Sequence, residues 1–209
     1  HDCKPDLVHA HMAKSSLMAG RWVTGIRSSS TPLLSTAHTL VKGKFFSKSD
    51  YVICVSGKVR ETLLGQGCPE SQCEVIHNWV DTERFSKPLD CIVTREQLNF
   101  PQDAFVLVLL GRIHRVKGHD FALEALAGLR SQGVDGRLLF LGDGSFRKEV
   151  EAMVSGLELT PHVRFLGHHP NPEEVLPSAD VLIMPSQKEG LPLALIEAMA
   201  CGLAPVASR

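Results

Sequence analysis

The sequence lacks the features that mark several specialised classes of protein. Its 209 residues carry a net charge of only -1, so nucleic acid is not expected as a partner. No apolar run approaches the roughly 18 residues that a membrane-spanning helix needs. The six cysteines contain no CxxC pair and no spacing typical of metal ligands. With an ordinary hydrophobic content of 44%, these absences predict a globular protein with reduced thiols in the cytoplasm.

The charge that is present is distributed unevenly along the chain. Residues 1–60 contain nine lysines and arginines against three aspartates, which gives this segment a net charge of +6. A basic segment of this kind could contact an anionic membrane or a phosphorylated acceptor. It could equally be an ordinary solvated surface. Peripheral contact with the inner face of a membrane is therefore one hypothesis beside that simpler interpretation.

Short apolar runs alternate with glycine- and serine-bearing turns and with helical stretches through most of the chain. This alternation predicts an α/β fold in which crossover helices join parallel strands. The predicted strands are residues 7–9, 33–37, 51–55, 74–76, 105–110, 138–141, 163–166, 181–184 and 206–207. The predicted helices are residues 13–23, 57–64, 119–130, 146–155, 173–178 and 192–201. Residues 82–102, which contain two prolines, are predicted to be irregular or weakly helical.

Charged residues follow several strands in the second half of the chain. Ligands of open parallel sheets bind beyond the carboxyl ends of the strands, and those ends collect Arg112, Lys117, His168 and Glu189. Arginine can bind two oxygens of a diphosphate, and lysine acts as a compact point charge. Arg112 and Lys117 are therefore candidates for an anion site, although both could be ordinary surface charges. Glycines recur at the same strand ends, which we interpret as room for a ligand to approach the backbone.

The predicted helix over residues 192–201 is apolar except at Glu197, a pattern that predicts burial on every side. A buried carboxylate is costly unless it has a partner. The two hydroxyls of a ribose would satisfy both of its oxygens, and an internal arginine or lysine would be an alternative partner. Glu189 lies just before this helix, where Gly190 leaves the backbone open for a phosphate.

Together these residues resemble the retaining GT-B glycosyltransferases of family four, within the glycogen-synthase-like superfamily. The strongest element is the Glu-x7-Glu motif, which runs from Glu189 to Glu197 inside EGLPLALIEAMACGLAPVAS. The segment GRIHRVKG resembles the element of that family that binds the donor phosphates. FLGDGSFRKEVE, VRFLGHHP and SADVLIMPS resemble its middle and penultimate strands, and PDLVHAH, LLSTAHTL and SDYVICVS resemble strands of its acceptor domain.

The resemblance implies two Rossmann-like parallel-sheet domains that face a cleft, both of them incomplete in this chain. Residues 1–84 would form part of the acceptor-side domain and residues 85–103 a linker. Residues 104–209 would bind the nucleotide-sugar donor. The glycine-rich loop at the amino terminus of the family, its last strands and the helix that crosses back to the first domain are absent, which puts the activity of this stretch by itself in doubt.

The resemblance also implies the reaction. The protein would move a sugar, of the hexose type, from a nucleotide-diphosphate sugar to a glycan or lipid-linked acceptor, with retention and without a metal or other cofactor. The absence of an Asp-x-Asp sequence, which would chelate a metal–diphosphate complex, agrees with this. Arg112 and Lys117 would hold the diphosphate, Glu197 the ribose and Glu189 the sugar hydroxyls. Backbone amides around Gly190 and Leu191 would support the donor.

The same resemblance singles out His38, which lies in the segment LLSTAHTL where the family has a histidine beside the transferred sugar. His38 and Glu189 are accordingly the predicted catalytic residues. A neutral imidazole could donate to or accept from a sugar hydroxyl, although a histidine that is merely packed in a turn would have the same sequence. His9 and His11 lie two residues apart on a strand, and one is expected to face inward and the other the cleft.

Two other classes of protein stay open at this point. Gly142-Asp-Gly144 could belong to the fingerprint of an NAD-dependent oxidoreductase, but its third glycine is missing and it falls in the middle of the series of strands. A non-catalytic nucleotide-binding or scaffold relative would show the same pattern of strands and helices.

Overall fold

The chain folds into two compact α/β units, each built on a parallel sheet. The computed structural model describes residues 5–26, 31–86 and 93–208, so Cys3, Cys91 and residues 87–92 of the predicted linker lie outside the described residues. The first unit consists of His1–Asn78 together with Lys188–Pro192, and the second of Trp79–Gln187 together with Leu193–Arg209. The predicted α/β class with parallel sheets is confirmed.

The first unit contains a four-stranded parallel sheet whose strands lie in sequence order. Its elements are β1 (Val8–His11), α1 (Ala13–Ile26), β2 (Leu33–Ala37), β3 (Tyr51–Cys54), α2 (Gly57–Leu64) and β4 (Cys73–Val75). Helix α2 begins where the Ser56 hydroxyl accepts a hydrogen bond from the Val59 amide at 3.3 Å, an N-terminal cap. Its buried residues Val59 and Leu63 pack against Val52 and Cys54 of the sheet.

The second unit contains a five-stranded parallel sheet with the strand order β7-β6-β5-β8-β9. Its elements are α3 (Thr82–Ser86), β5 (Phe105–Leu110), α4 (His119–Ser131), β6 (Gly136–Leu141), α5 (Arg147–Gly156), β7 (Val163–Gly167), β8 (Val181–Met184), α6 (Leu193–Ala200) and β9 (Ala204–Ala207). The strand order reverses beside β5, at the centre of the sheet, and a reversal of this kind opens a crevice for ligands.

Strand β5 is apolar throughout because both of its faces are covered. Val106 and Val108 point into one hydrophobic cluster, and Leu107 and Leu109 point into the cluster on the opposite side of the sheet. This confirms the prediction that an uninterrupted apolar run marks a strand buried on both faces.

Two local predictions are wrong. Residues 173–178 form two 3₁₀ turns, Pro172–Glu174 and Leu176–Ser178, and not one short helix, since Pro177 has no N–H to donate to a helical hydrogen bond. Helix α6 is not buried on every side: only Ala198 is fully buried, and Met199 is 56% exposed. The helix packs with one face on β8 and β9.

The structure describes four of the six cysteines. Cys54 and Cys73 are buried, Cys68 and Cys201 are half-buried, and all four are free thiols. Within the described ranges, no helix combines the length and the apolar character needed to cross a membrane.

Candidate functional site

A cavity of about 410 Å³ opens at the carboxyl ends of β5, β6 and β7 in the second unit. This volume is in the range of small-molecule sites. Its lining residues are Leu110, Gly111, Arg112, Leu141, Gly142, Asp143, His168 and His169. The structure therefore places Arg112 and His168, two residues predicted from the strand ends, around one cavity. Asp143 and His169 were not predicted, although the same strand-end rule would have found them.

Asp143 lines this cavity, and neighbouring groups compensate its charge. The Gly144 amide donates to Asp143 Oδ1 at 2.7 Å, and Arg147 Nη1 lies 3.1 Å from Asp143 Oδ2. The hydrogen bond from Gly144, followed by Arg147, lowers the pKa of Asp143, so it is ionised and paired near neutral pH. The exposed guanidinium of Arg112 consequently gives the cavity its positive character, which suits an anionic group.

Three glycines around this edge are required by contacts between backbone segments. A Cβ at Gly142, whose φ is 148°, would lie 2.0 Å from the Gly111 carbonyl oxygen. A Cβ at Gly144 would lie 2.1 Å from the Ile113 oxygen, and one at Gly118 would lie 2.2 Å from the Pro185 oxygen. Our interpretation of the strand-end glycines as room for a ligand is therefore wrong at Gly142 and Gly144, where other parts of the chain fill that space, whereas Gly111 and Gly167 have no backbone atom in it.

The loop between β5 and α4 carries both predicted phosphate-binding residues. Arg112 lies just beyond the end of β5, and Lys117 is the last residue of a 3₁₀ turn. The Lys117 amide donates to the His114 carbonyl at 2.9 Å, and Gly118 then adopts the left-handed conformation from which α4 begins. Lys117 is thus held directly before the amino terminus of α4, the end of a helix that favours anions.

Glu197 lies on α6 and is half-buried. Burial raises the pKa of its carboxyl, Arg84 opposes this effect, and Glu173 adds to it. Arg84 is itself engaged by Glu173, since Arg84 Nε donates to Glu173 Oε1 at 2.5 Å. Arg84, the internal cation that could be the partner of Glu197, is therefore only a weak partner, because the pKa of Glu197 stays above its ordinary value. No sequence pattern indicated Arg84 and Glu173, which lie 89 residues apart.

The other predicted site residues lie in the first unit, because the segment Lys188–Pro192 packs there. A Cβ at Gly190 would lie 2.3 Å from the carbonyl oxygen of His38. Leu191 packs against the core of this unit, and its carbonyl accepts a hydrogen bond from Asn78 Nδ2 at 2.6 Å. His38, Gly190 and Leu191 are thus brought together, with the half-buried Glu189 next to them in the chain.

Three histidine rings gather at the carboxyl edge of the first sheet. His11 Nδ1 and His38 Nε2 are hydrogen-bonded at 3.0 Å, and His9 Nε2 is hydrogen-bonded to the Thr36 hydroxyl at 2.8 Å. The His9 and His11 rings lie 4.2 Å apart, so the prediction that they face opposite sides is wrong. Residues two apart on a strand point to the same face. Burial, followed by His11 and His9, lowers the pKa of His38, which keeps it neutral at pH 7.

Both halves of the chain match families of sequences. Residues 92–209 match the family described as "Glycosyl transferases group 1", and residues 1–84 match "Glycosyltransferase Family 4". The first of these matches alone covers more than half of the chain.

Individual proteins are similar over most of this chain. A GDP-mannose-dependent α-(1-6)-phosphatidylinositol dimannoside mannosyltransferase of Mycobacterium tuberculosis is 32% identical over 160 residues, which are 77% of this chain and 41% of that protein. A 2-deoxystreptamine glucosyltransferase of Streptomyces kanamyceticus is 35% identical over 146 residues, which are 68% of this chain and 38% of that protein. The chain spans less than half of the length of either relative.

The fold also matches a solved structure. HepE of Anabaena, in complex with UDP and glucose, superposes with a TM-score of 0.83 at 23% identity, over 97% of this chain and 59% of that chain. This likeness in fold, together with the two parallel sheets, confirms the predicted GT-B class of two α/β domains.

Proposed function

The chain belongs to the glycosyl transferases of group 1 and family 4, and from that premise we propose that the whole protein moves a hexose from a nucleotide-diphosphate sugar to a glycan or lipid-linked acceptor. The observation that carries the proposal is the cavity at the ends of β5, β6 and β7, in which Arg112 is the exposed cation and Asp143 is already paired. The mannosyltransferase relative, which its name describes as GDP-mannose-dependent, supports a nucleotide-sugar donor.

The donor would be held mainly by the second unit. Arg112 and Lys117 lie in one loop before α4, where their charges and the helix amides suit a diphosphate. Glu197, half-buried on α6, would accept hydrogen bonds from the two ribose hydroxyls. These hydrogen bonds would replace the ones to water that the carboxylate loses on burial. Glu189 would contact the hydroxyls of the sugar, and the amides of Gly190 and Leu191 would support it.

The acceptor would be placed by residues 1–84, with residues 85–103 as the linker and residues 104–209 as the donor domain. His38 would contact the reacting sugar as a neutral imidazole, the form that its lowered pKa favours. The net charge of +6 over residues 1–60 supports an acceptor, or a membrane surface on the cytoplasmic side, that carries negative charge.

The transfer itself would retain the configuration of the sugar and need no metal. The acceptor hydroxyl would attack the anomeric carbon from the face on which the diphosphate leaves, as the bond from that carbon to the phosphate oxygen breaks. The departing phosphate would take the hydroxyl proton. Arg112 and Lys117 would stabilise the negative charge that develops on the diphosphate, a role that a metal ion has in other transferases.

The experiment that tests this proposal uses the full-length protein with UDP-, GDP- and ADP-sugars, with and without EDTA. We expect one nucleotide to be released in a reaction that EDTA does not slow, and NMR of the product to show the anomeric configuration of the donor. Inversion of that configuration would contradict the retaining mechanism. Nucleotide binding without any hydrolysis or transfer would instead favour a non-catalytic relative.

Substituting Glu197 by glutamine should change stability and donor binding in opposite directions. The folded-state pKa of Glu197 is raised, so its favourable contribution to stability is present below pH 4.5 and is lost as the pH rises through the raised pKa. At pH 7 the ionised carboxylate is therefore a cost, and Glu197→Gln should raise Tm by about 1–3 °C. At pH 4 the difference should vanish, as thermal scans at both values would show. Nucleoside-diphosphate binding should weaken about tenfold, because one charged acceptor is lost.

The alternative of an NAD-dependent oxidoreductase finds no support at its own motif. Gly142 and Gly144 lie against the carbonyl oxygens of Gly111 and Ile113, so these glycines do not form an open phosphate-binding turn.

A further inference from the structure

The residue that follows His11 at the end of β1 has an unusual backbone conformation. Met12, the next residue, has a φ of 74°, which is uncommon for a side chain of its size. The Met12 amide donates to the Thr36 carbonyl at 3.1 Å, and the Met12 carbonyl accepts a hydrogen bond from the Ser16 hydroxyl at 2.8 Å. An unusual backbone conformation that is held by hydrogen bonds on both sides suggests a functional constraint at this position.

We propose that His11 is a positioning residue for His38. Nδ1 of His11 is hydrogen-bonded to Nε2 of His38 at 3.0 Å. This leaves Nδ1 of His38 as the ring nitrogen that meets a substrate hydroxyl. The inference rests on the proposed function, in which His38 contacts the reacting sugar.

The hydrogen bond between the two rings has a chemical consequence. Of two facing imidazole nitrogens one must carry a proton and the other a lone pair, so the pair couples the tautomers of the two neutral rings. The two ring planes are inclined by only 27°, with centroids 5.4 Å apart, which suits a hydrogen bond between nitrogens at the ring edges. Without His11 the His38 ring could rotate about its side-chain bonds and exchange tautomers, and fewer molecules would present the reactive nitrogen correctly.

The surroundings of His38 favour the neutral state that this pairing needs. His9 and His11 face His38 from β1. Gly190 packs against the His38 carbonyl, and Lys188 and Glu189 precede Gly190 in the chain. Burial and the two neighbouring imidazoles lower the pKa of His38 below its ordinary value of 6.5. The hydrogen bond needs at least one neutral ring, because two imidazolium ions have no lone pair to accept it, so the arrangement is one for neutral pH.

The first test is NMR of the histidine ring nitrogens in this chain, which does not depend on sugar transfer. At pH 7.5 His38 should show a single neutral tautomer. In His11→Ala it should show a mixture, and its titration midpoint should rise towards 6.5 because a neighbouring imidazole is gone. His9→Asn is the matched control: His9 bonds to Thr36, so its loss should leave the tautomer of His38 unchanged. A single, unchanged tautomer in His11→Ala would overturn the proposal.

The second test is the rate of transfer in the full-length enzyme. His11→Ala should lower kcat about 10- to 100-fold and leave KM for the donor within about twofold. His11→Asn should restore most of the rate, because an asparagine amide can occupy the position of Nδ1. Altered tautomers with an unaltered kcat would overturn the positioning role. If the wild-type protein transfers no sugar while the NMR results hold, the proposed function fails and the pairing of the two rings stands.

Discussion

Replacing Arg112 by alanine should weaken the binding of nucleoside diphosphates about 100-fold, measured by calorimetric titration of UDP, GDP and ADP. Charge-assisted hydrogen bonds contribute about 1.5–3 kcal/mol each, and Arg112 is the exposed guanidinium that lines the cavity at the ends of β5, β6 and β7. Because its side chain is exposed, the substitution should leave the midpoint of urea unfolding unchanged.

Arg115→Ala is the matched control for this substitution. Arg115 is also exposed and lies three residues further along the same loop, but its guanidinium stacks over the Phe146 ring at 4.8 Å and does not line the cavity. Its loss should change the affinity for nucleotides less than about threefold. Equal losses in both variants would mean that only the general positive charge of the loop matters. An unchanged affinity in Arg112→Ala would exclude this cavity as the diphosphate site.

Replacing Gly142 by alanine should destabilise the second unit by about 3 kcal/mol or more, as measured by urea unfolding. The new Cβ would lie 2.0 Å from the Gly111 carbonyl oxygen, and the φ of 148° is one that side chains rarely adopt. Neither strain can relax locally, because Gly111 and Gly142 follow the neighbouring strands β5 and β6, whose register is set by six residue pairs.

Gly128→Ala is the same change of residue, but it is expected to affect stability in the opposite direction. Gly128 lies inside α4, and a Cβ there would have no atom within 4 Å. Alanine should therefore stabilise the unit by about 0.5–1 kcal/mol, since glycine is the poorer helix former. If Gly142→Ala unfolds at the same urea concentration as the wild-type chain, the close packing of the two loops is contradicted.

The sequence by itself determined the order of the elements and the places of Arg112, Lys117 and Glu197 in that order. Strand β5 was predictable because burial on both faces removes every polar residue from a strand. The loop with Arg112 and Lys117 and the helix with Glu197 were predictable because the ends of strands and helices can be recognised in the sequence, and these ends set where each segment lies. In all these cases the physical cause acts on neighbouring residues, so a local pattern records it.

Only the tertiary structure decided which of these residues meet. The pairing of His11 with His38, the contact of Gly190 with the His38 carbonyl and the engagement of Arg84 by Glu173 each join residues far apart in the chain. No periodicity records such contacts, since they depend on how strands are ordered and where loops pack. For the same reason the roles of Gly142 and Gly144 and the exposure of α6 were misjudged: the free space beside a residue is set by backbone segments that lie far away in the chain.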